Sequence, residues 1–255
     1  MLKIQTFGNK THITDLLIVH GLFGSGRNWR AIARNISSDR QVHVVDMRNH
    51  GESFWNADNS YESMAEDLKK ILTKLKSPVD VLGHSMGGKA SMVLAINNPD
   101  LVNRLLIVDI APTKYQHDQS INISIMKNLP IAGLTRRSDA DLILKKTLSD
   151  DALRAFFLQS LIISPNGNSW QLNLDALDKN MDKIIGFPDV SGQFNGMTFF
   201  LKGELSNYIS DKDLPNINLL FPRNKIITIK NAGHWVHAEA TRDFLISVKK
   251  YLSGS

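Results

Sequence analysis

Short apolar runs separated by helically spaced stretches dominate the first part of the chain. Leu16-Leu17-Ile18-Val19, Val42-His43-Val44-Val45, Val79-Asp80-Val81-Leu82 and Leu105-Leu106-Ile107-Val108 are four such runs. They are nearly continuous rather than alternating, which is the mark of strands buried on both faces of a parallel sheet. Helices are predicted between them over Trp29–Asn35, Tyr61–Lys76 and Ser85–Asn97. The second places Met64, Leu68, Ile71, Leu72 and Leu75 on one face, with acids early and lysines late as the helix dipole favours.

The pattern changes after Pro112. Up to about Phe194 the strand–helix alternation is lost, and helices are expected over Ala140–Leu148 and Ala152–Leu161. Asn166-Gly167 is a turn signal, and the alternating Trp170-Gln171-Leu172-Asn173-Leu174 after it suggests a short hairpin. Strand runs return at Met197–Leu201 and Ile226–Ile229, and a last helix covers Ala240–Leu252. The expectation is an α/β fold with a doubly wound, mostly parallel sheet. Residues 1–111 and 195–255 would form its core, and residues 112–194 a small helical cap.

Composition narrows the chemistry. The chain has 255 residues and no cysteine, which excludes disulfides, thiolate catalysis and cysteine-based metal sites. A cysteine-free chain suits a reducing cytoplasm. Met1-Leu2-Lys3-Ile4-Gln5-Thr6 has no apolar h-region, so no secretory signal is expected. No apolar run is long enough for membrane insertion. The formal charge of +5 comes from scattered Lys and Arg without a basic run, so no nucleic-acid partner is expected. The histidines show no metal-ligand spacing, and no cofactor motif is present.

Gly83-His84-Ser85-Met86-Gly87 matches G-x-S-x-G between a predicted strand and a predicted helix. A serine in that turn projects its hydroxyl above the sheet edge, and flanking glycines allow the backbone path. His84 should point away from it. A serine hydroxyl needs a general base, and His234, after the last strand, is the first candidate. His237 and then His50 rank behind it. Where an acid usually stands after Phe199-Phe200-Leu201, this chain has Ser206. Asp109, at the end of a neighbouring strand, is the favoured acid with Ser206 as its supporter. Glu204 and Asp211 remain alternatives. Backbone N–H groups of Met86 and of Leu22, or else Phe23, would stabilise an oxyanion. Phe156, Phe157, Leu161 and Trp170 are candidates to line a pocket, with Phe23 and Trp235 near the reacting groups.

Taken with Asp46-Met47-Arg48-Asn49-His50-Gly51, Lys89 and Val108-Asp109-Ile110-Ala111-Pro112, these motifs resemble the α/β-hydrolase superfamily, and within it bacterial esterases of the YbfF type. The resemblance covers most of residues 16–112 and 197–252 and is weak across the cap. It implies a cofactor-free serine hydrolase of carboxylic esters, or of acyl thioesters such as acyl-CoA, with short to medium acyl chains. It also implies Ser85, Asp109 and His234 as the triad. Lyases, carbon–carbon bond hydrolases and non-catalytic binding relatives use the same fold, and stand as the alternatives. Serine at position 85 disfavours a haloalkane dehalogenase, whose nucleophile is Asp.

Overall fold

The computed structural model describes residues 1–76, 78–116 and 119–253. Seven strands form the main sheet: β1 (Ile4–Phe7), β2 (Leu16–Val19), β3 (Val42–Val45), β4 (Val79–His84), β5 (Val102–Val108), and, further along, β8 (Met197–Gly203) and β9 (Asn224–Ile229). Between β5 and β8 a two-stranded hairpin pairs β6 (Leu161–Ile162) with β7 (Ser169–Trp170). The order across the main sheet is β1-β3-β2-β4-β5-β8-β9, and only β1 runs antiparallel to its neighbour. The parallel, doubly wound sheet read from the apolar runs is therefore present. The antiparallel edge strand Ile4–Phe7 was not anticipated.

Helices cover both faces, as continuous apolar strands require. One face packs against α2 (Tyr61–Leu75) and α3 (Met86–Asn97), and the other against α1 (Arg30–Ile36) and the last helix, α11 (Thr241–Leu252). The helix α2 starts at Ser60, whose side chain accepts from the Ser63 amide, and ends at Lys76 with φ +60°. Those caps bound its apolar stripe. Among the described residues no helix is long and apolar enough to cross a membrane.

The segment between β5 and β8 carries α4 (Ser120–Lys127), α5 (Arg137–Leu144), α6 (Asp151–Leu158), the β6–β7 hairpin, α7 (Leu174–Lys179) and α8 (Met181–Ile185). It has an apolar cluster of its own, built on Leu129, Ala140, Leu144, Leu158 and Leu161. The hairpin turns at Asn166-Gly167 as the sequence suggests, but its second strand is Ser169–Trp170. Leu172 instead bridges to His50, and Leu174 opens α7. After β8 come α9 (Leu214–Leu220), β9 and the single turn α10 (Val236–Glu239).

The strand order fixes where a ligand can sit. From β2 the chain moves outward to β3 on one side, and from β4 outward to β5 on the other. The crevice at this reversal, beyond the C-terminal ends of β2 and β4, is the usual ligand position in open α/β sheets. Those two ends carry His20–Gly24 and Ser85.

Candidate active site

Ser85 occupies a backbone conformation, φ +51° and ψ −120°, that L-residues rarely adopt. The tight strand-to-helix turn is enforced by two glycines. A Cβ on Gly83 would stand 2.5 Å from the Gly87 carbonyl oxygen, and one on Gly87 would stand 2.4 Å from that of His20. Any larger residue would push α3 away from β4 and β2. Strain of this kind costs on the order of 1–3 kcal/mol and persists only where packing over-determines it.

Three side chains from three strand ends meet at this turn. The Ser85 hydroxyl donates to His234 Nε2 at 3.0 Å, and His234 Nδ1–H donates to Asp109 Oδ2 at 2.8 Å. Asp109 follows β5 with φ +50° and is fully buried. Its carboxylate also accepts from the Gly203 amide at 2.9 Å and from the Ser206 hydroxyl at 2.5 Å. Ser206 is held in turn by the Tyr208 amide. A hydroxyl bonded to an imidazole that is oriented by a buried carboxylate can pass its proton to that imidazole as the oxygen attacks a carbonyl carbon.

The alternatives are engaged elsewhere. Glu204 is exposed and accepts from the Asn231 amide, while Asp211 lies exposed in a short 3-10 turn. His237 is buried and stacked on Trp29 at 4.0 Å. His84 takes no part in the Ser85–His234 hydrogen bond, but its ring lies 4.8 Å from that of the base. Its Nε2–H donates to the His234 carbonyl at 2.9 Å. Glu239 accepts from the Gly233 and Trp235 amides and fixes the same loop from the other side.

The loop after β2 turns back on itself, with the Gly24 amide donating to the Gly21 carbonyl. A Cβ on Gly21 would stand 3.1 Å from Ser85 Cβ, so this turn abuts the serine. The Phe23 amide is committed, because it donates to His50 Nε2 at 3.2 Å. That removes Phe23 from the two oxyanion-donor candidates and leaves Leu22. His50 is set by its own Nδ1–H, which donates to the Arg48 carbonyl. His20 mirrors it, donating to the Gly21 carbonyl and accepting from the Met47 amide. Met86 is the first residue of α3, where helix geometry leaves amides without intrahelical partners.

These bonds need neutral imidazoles, and burial supplies them. Burial pushes His20 down to about 4, His50 to about 3 (helped by His20) and His237 to about 3, and also lowers His43 and His84. An unfolded chain would protonate all five near pH 6.5. Their folded values lie lower, so their contribution is complete above that pH and is lost as the pH falls toward the folded values. Thermal stability should therefore drop steeply between pH 6.5 and about 4, with uptake of several protons on unfolding. Calorimetry across that range checks this, and a flat Tm down to pH 4.5 would contradict it.

Ser85 opens into a cavity of about 280 Å³. Leu22, Phe23, Met86, Phe156, Phe157 and Trp235 line it, as expected for the last three and for Phe23. Leu161 and Trp170 do not. Leu161 belongs to the cluster inside the insertion, and the Trp170 indole donates to the Met126 carbonyl. Lys89, Tyr61, Tyr115 and Tyr208 also line the cavity and were not foreseen. Tyr208 stacks on His234 at 3.9 Å, and burial raises its phenol to about 12.

The family model described as the alpha/beta hydrolase fold matches residues 15–241. The chain belongs to this family. Within it, the chain is 39% identical over 247 residues to the sn-1-specific diacylglycerol lipase ABHD11 of Mus musculus, covering 93% of this chain and 80% of that protein. It is 30% identical to the esterase YbfF of Escherichia coli (strain K12), covering 99% and 98%. A solved structure of a marine microorganism esterase superposes with a TM-score of 0.92 at 37% identity, covering 98% of each chain. The chain is thus an α/β-hydrolase family member of the esterase and lipase type.

Proposed function

We propose that the protein hydrolyses carboxylic esters of short to medium acyl chain through an acyl-enzyme on Ser85. The observation that carries this is the continuous hydrogen-bonded series from Ser85 through His234 to Asp109, placed at the switch point of the sheet. In this reading His234 takes the Ser85 proton as the Ser85 oxygen attacks the ester carbonyl. The amides of Met86 and Leu22 receive the charge that forms on the carbonyl oxygen. The protonated His234 then gives its proton to the departing alcohol. Water, deprotonated by the same imidazole, releases the acid and regenerates Ser85. Asp109 holds the imidazole in the tautomer that leaves Nε2 free to accept, and Ser206 and Gly203 hold Asp109.

Residues 112–194 act as the cap and supply the roof of the acyl pocket through Phe156 and Phe157. The cavity's volume and largely apolar lining suit a chain of a few carbons. Acyl-CoA thioesters are the second substrate class, for which the net charge of +5 favours the anionic leaving group.

A panel of p-nitrophenyl esters from acetate to palmitate tests the reading. Turnover should be highest among the short and medium chains and should collapse at palmitate. No turnover on any oxygen ester or acyl-CoA thioester would overturn it. A hydroxynitrile or diketone cleaved faster than every ester would move the assignment to the lyase or carbon–carbon hydrolase alternatives.

A further inference from the structure

Lys89 is one helical turn beyond Ser85 in α3, and its side chain is almost completely buried, with 1% of the residue exposed. A buried ammonium normally finds a carboxylate. This one meets backbone instead. Its Nζ donates to the Thr113 carbonyl at 2.7 Å, to the Ile185 carbonyl at 2.9 Å and to the Gly186 carbonyl at 2.5 Å. Its three protons match three acceptors. The ammonium also faces the Tyr115 ring at 4.6 Å. Burial pushes it down to about 7, and the three carbonyl dipoles and the ring favour its charged form.

Those acceptors sit at the two ends of the cap. Thr113 is where the chain enters it, and Ile185–Gly186 is where α8 ends. Neighbouring bonds close the same joint. The Tyr61 hydroxyl from α2 donates to the Ile184 carbonyl at 2.6 Å, and the Tyr115 amide donates to the Ile185 carbonyl at 3.0 Å. Tyr61, Lys89, Tyr115, Ile184 and Ile185 all line the cavity beside Ser85. The joint that ties cap to core is therefore also a wall of the pocket.

We infer that Lys89 is a positioning residue that pins both ends of the cap to the nucleophile helix and thereby sets the length of acyl chain the pocket accepts. A point charge with three rotatable donors can gather three carbonyls at once, whereas an apolar residue of the same length would take its donor from the Thr113 and Gly186 carbonyls and leave the Ile185 carbonyl with the Tyr115 amide alone. The inference rests on the esterase reading for its substrate and on geometry alone for its joint.

The test uses Lys89→Met, Lys89→Arg and the nearly isosteric Tyr61→Phe, which removes one bond of the same joint. In Lys89→Met the ratio of kcat/KM between hexanoate and acetate p-nitrophenyl esters should shift by about tenfold, the scale on which a hydrophobic pocket discriminates chain length. Peptides covering 110–116 and 183–190 should exchange amide hydrogens at least about tenfold faster, while those of α2 and the end of α3 keep wild-type rates. Tyr61→Phe should move both readouts the same way by less, and Lys89→Arg should recover part of the shift. A chain-length profile and local exchange identical to wild type in Lys89→Met and Tyr61→Phe would overturn the inference. So would exchange accelerated evenly through the whole chain. Labelling of wild-type Ser85 by a fluorophosphonate reports separately on the serine-hydrolase reading, because exchange at the joint needs no turnover.

Discussion

Ser85→Ala is expected to lower kcat/KM on p-nitrophenyl acetate by about 10⁴-fold or more, leaving only what oxyanion donors and binding supply. Among the described residues, the hydrogen-bond partner of His234 Nε2 is Ser85 Oγ. The fold should survive, because alanine keeps the Cβ and the turn is imposed by Gly83 and Gly87 packing against Ser91, Val19 and His20. Ser85→Gly extends the argument. A glycine pays no steric penalty at φ +51° and ψ −120°, so this equally inactive variant should gain on the order of 1 kcal/mol of stability, less what its freer unfolded chain takes back. Esterase assays and denaturant unfolding of both variants check this. An alanine variant retaining more than a tenth of wild-type turnover would remove Ser85 from the chemistry. A glycine variant clearly less stable than the alanine one would show that the turn is not strained.

What could be read from the sequence follows from how local each signal is. The strands β2, β4 and the Leu105–Val108 part of β5 are buried on both faces, and apart from Asp80, Gly83 and His84 their residues are apolar. Ser85 and its glycines fall within five residues of one another, and the elbow is a local structure. Ile4–Phe7, by contrast, is a short, partly exposed edge strand whose ladder partner among the described residues lies about forty residues away, at Val42–Val45. Its four residues carry no pattern that separates them from a loop. The pocket is harder still. Tyr61, Lys89, Tyr115, Ile185 and Tyr208 come from α2, α3, the segment between β5 and β8 and the loop after β8, and no spacing in the chain joins them. Trp170 shows the converse error. An aromatic residue in an alternating run reads equally well as pocket or as core, and here it packs on the apolar cluster of the segment between β5 and β8 and on the main core.

Asp109→Asn is expected to lower kcat by about 10³–10⁴-fold with little change in KM. Among the described residues, the hydrogen-bond partners of this carboxylate are all donors: the Gly203 amide to Oδ1, and His234 Nδ1–H and the Ser206 hydroxyl to Oδ2. An asparagine must place an NH₂ among them. With its oxygen kept on the Gly203 amide, its NH₂ faces His234, which then accepts at Nδ1 and carries its proton on Nε2. In that tautomer Nε2 cannot take the Ser85 proton. Ser206 offers a way to tell this loss of tautomer from a general loosening. Its hydroxyl is 2.5 Å from Asp109 Oδ2, the same oxygen that holds His234. A carboxylate introduced there by Ser206→Asp in the Asp109→Asn background can accept from both the new amide and His234 Nδ1–H, and should recover about ten- to a hundredfold of kcat. Ser206→Asp alone should instead reduce activity, because two carboxyl groups in contact cannot both stay ionised at neutral pH. Near wild-type turnover in Asp109→Asn would return the acid's role to Glu204 or Asp211, despite their exposure. A double variant no better than Asp109→Asn would mean that the carboxylate acts from the end of β5 and from nowhere else, with Ser206 serving only to hold it.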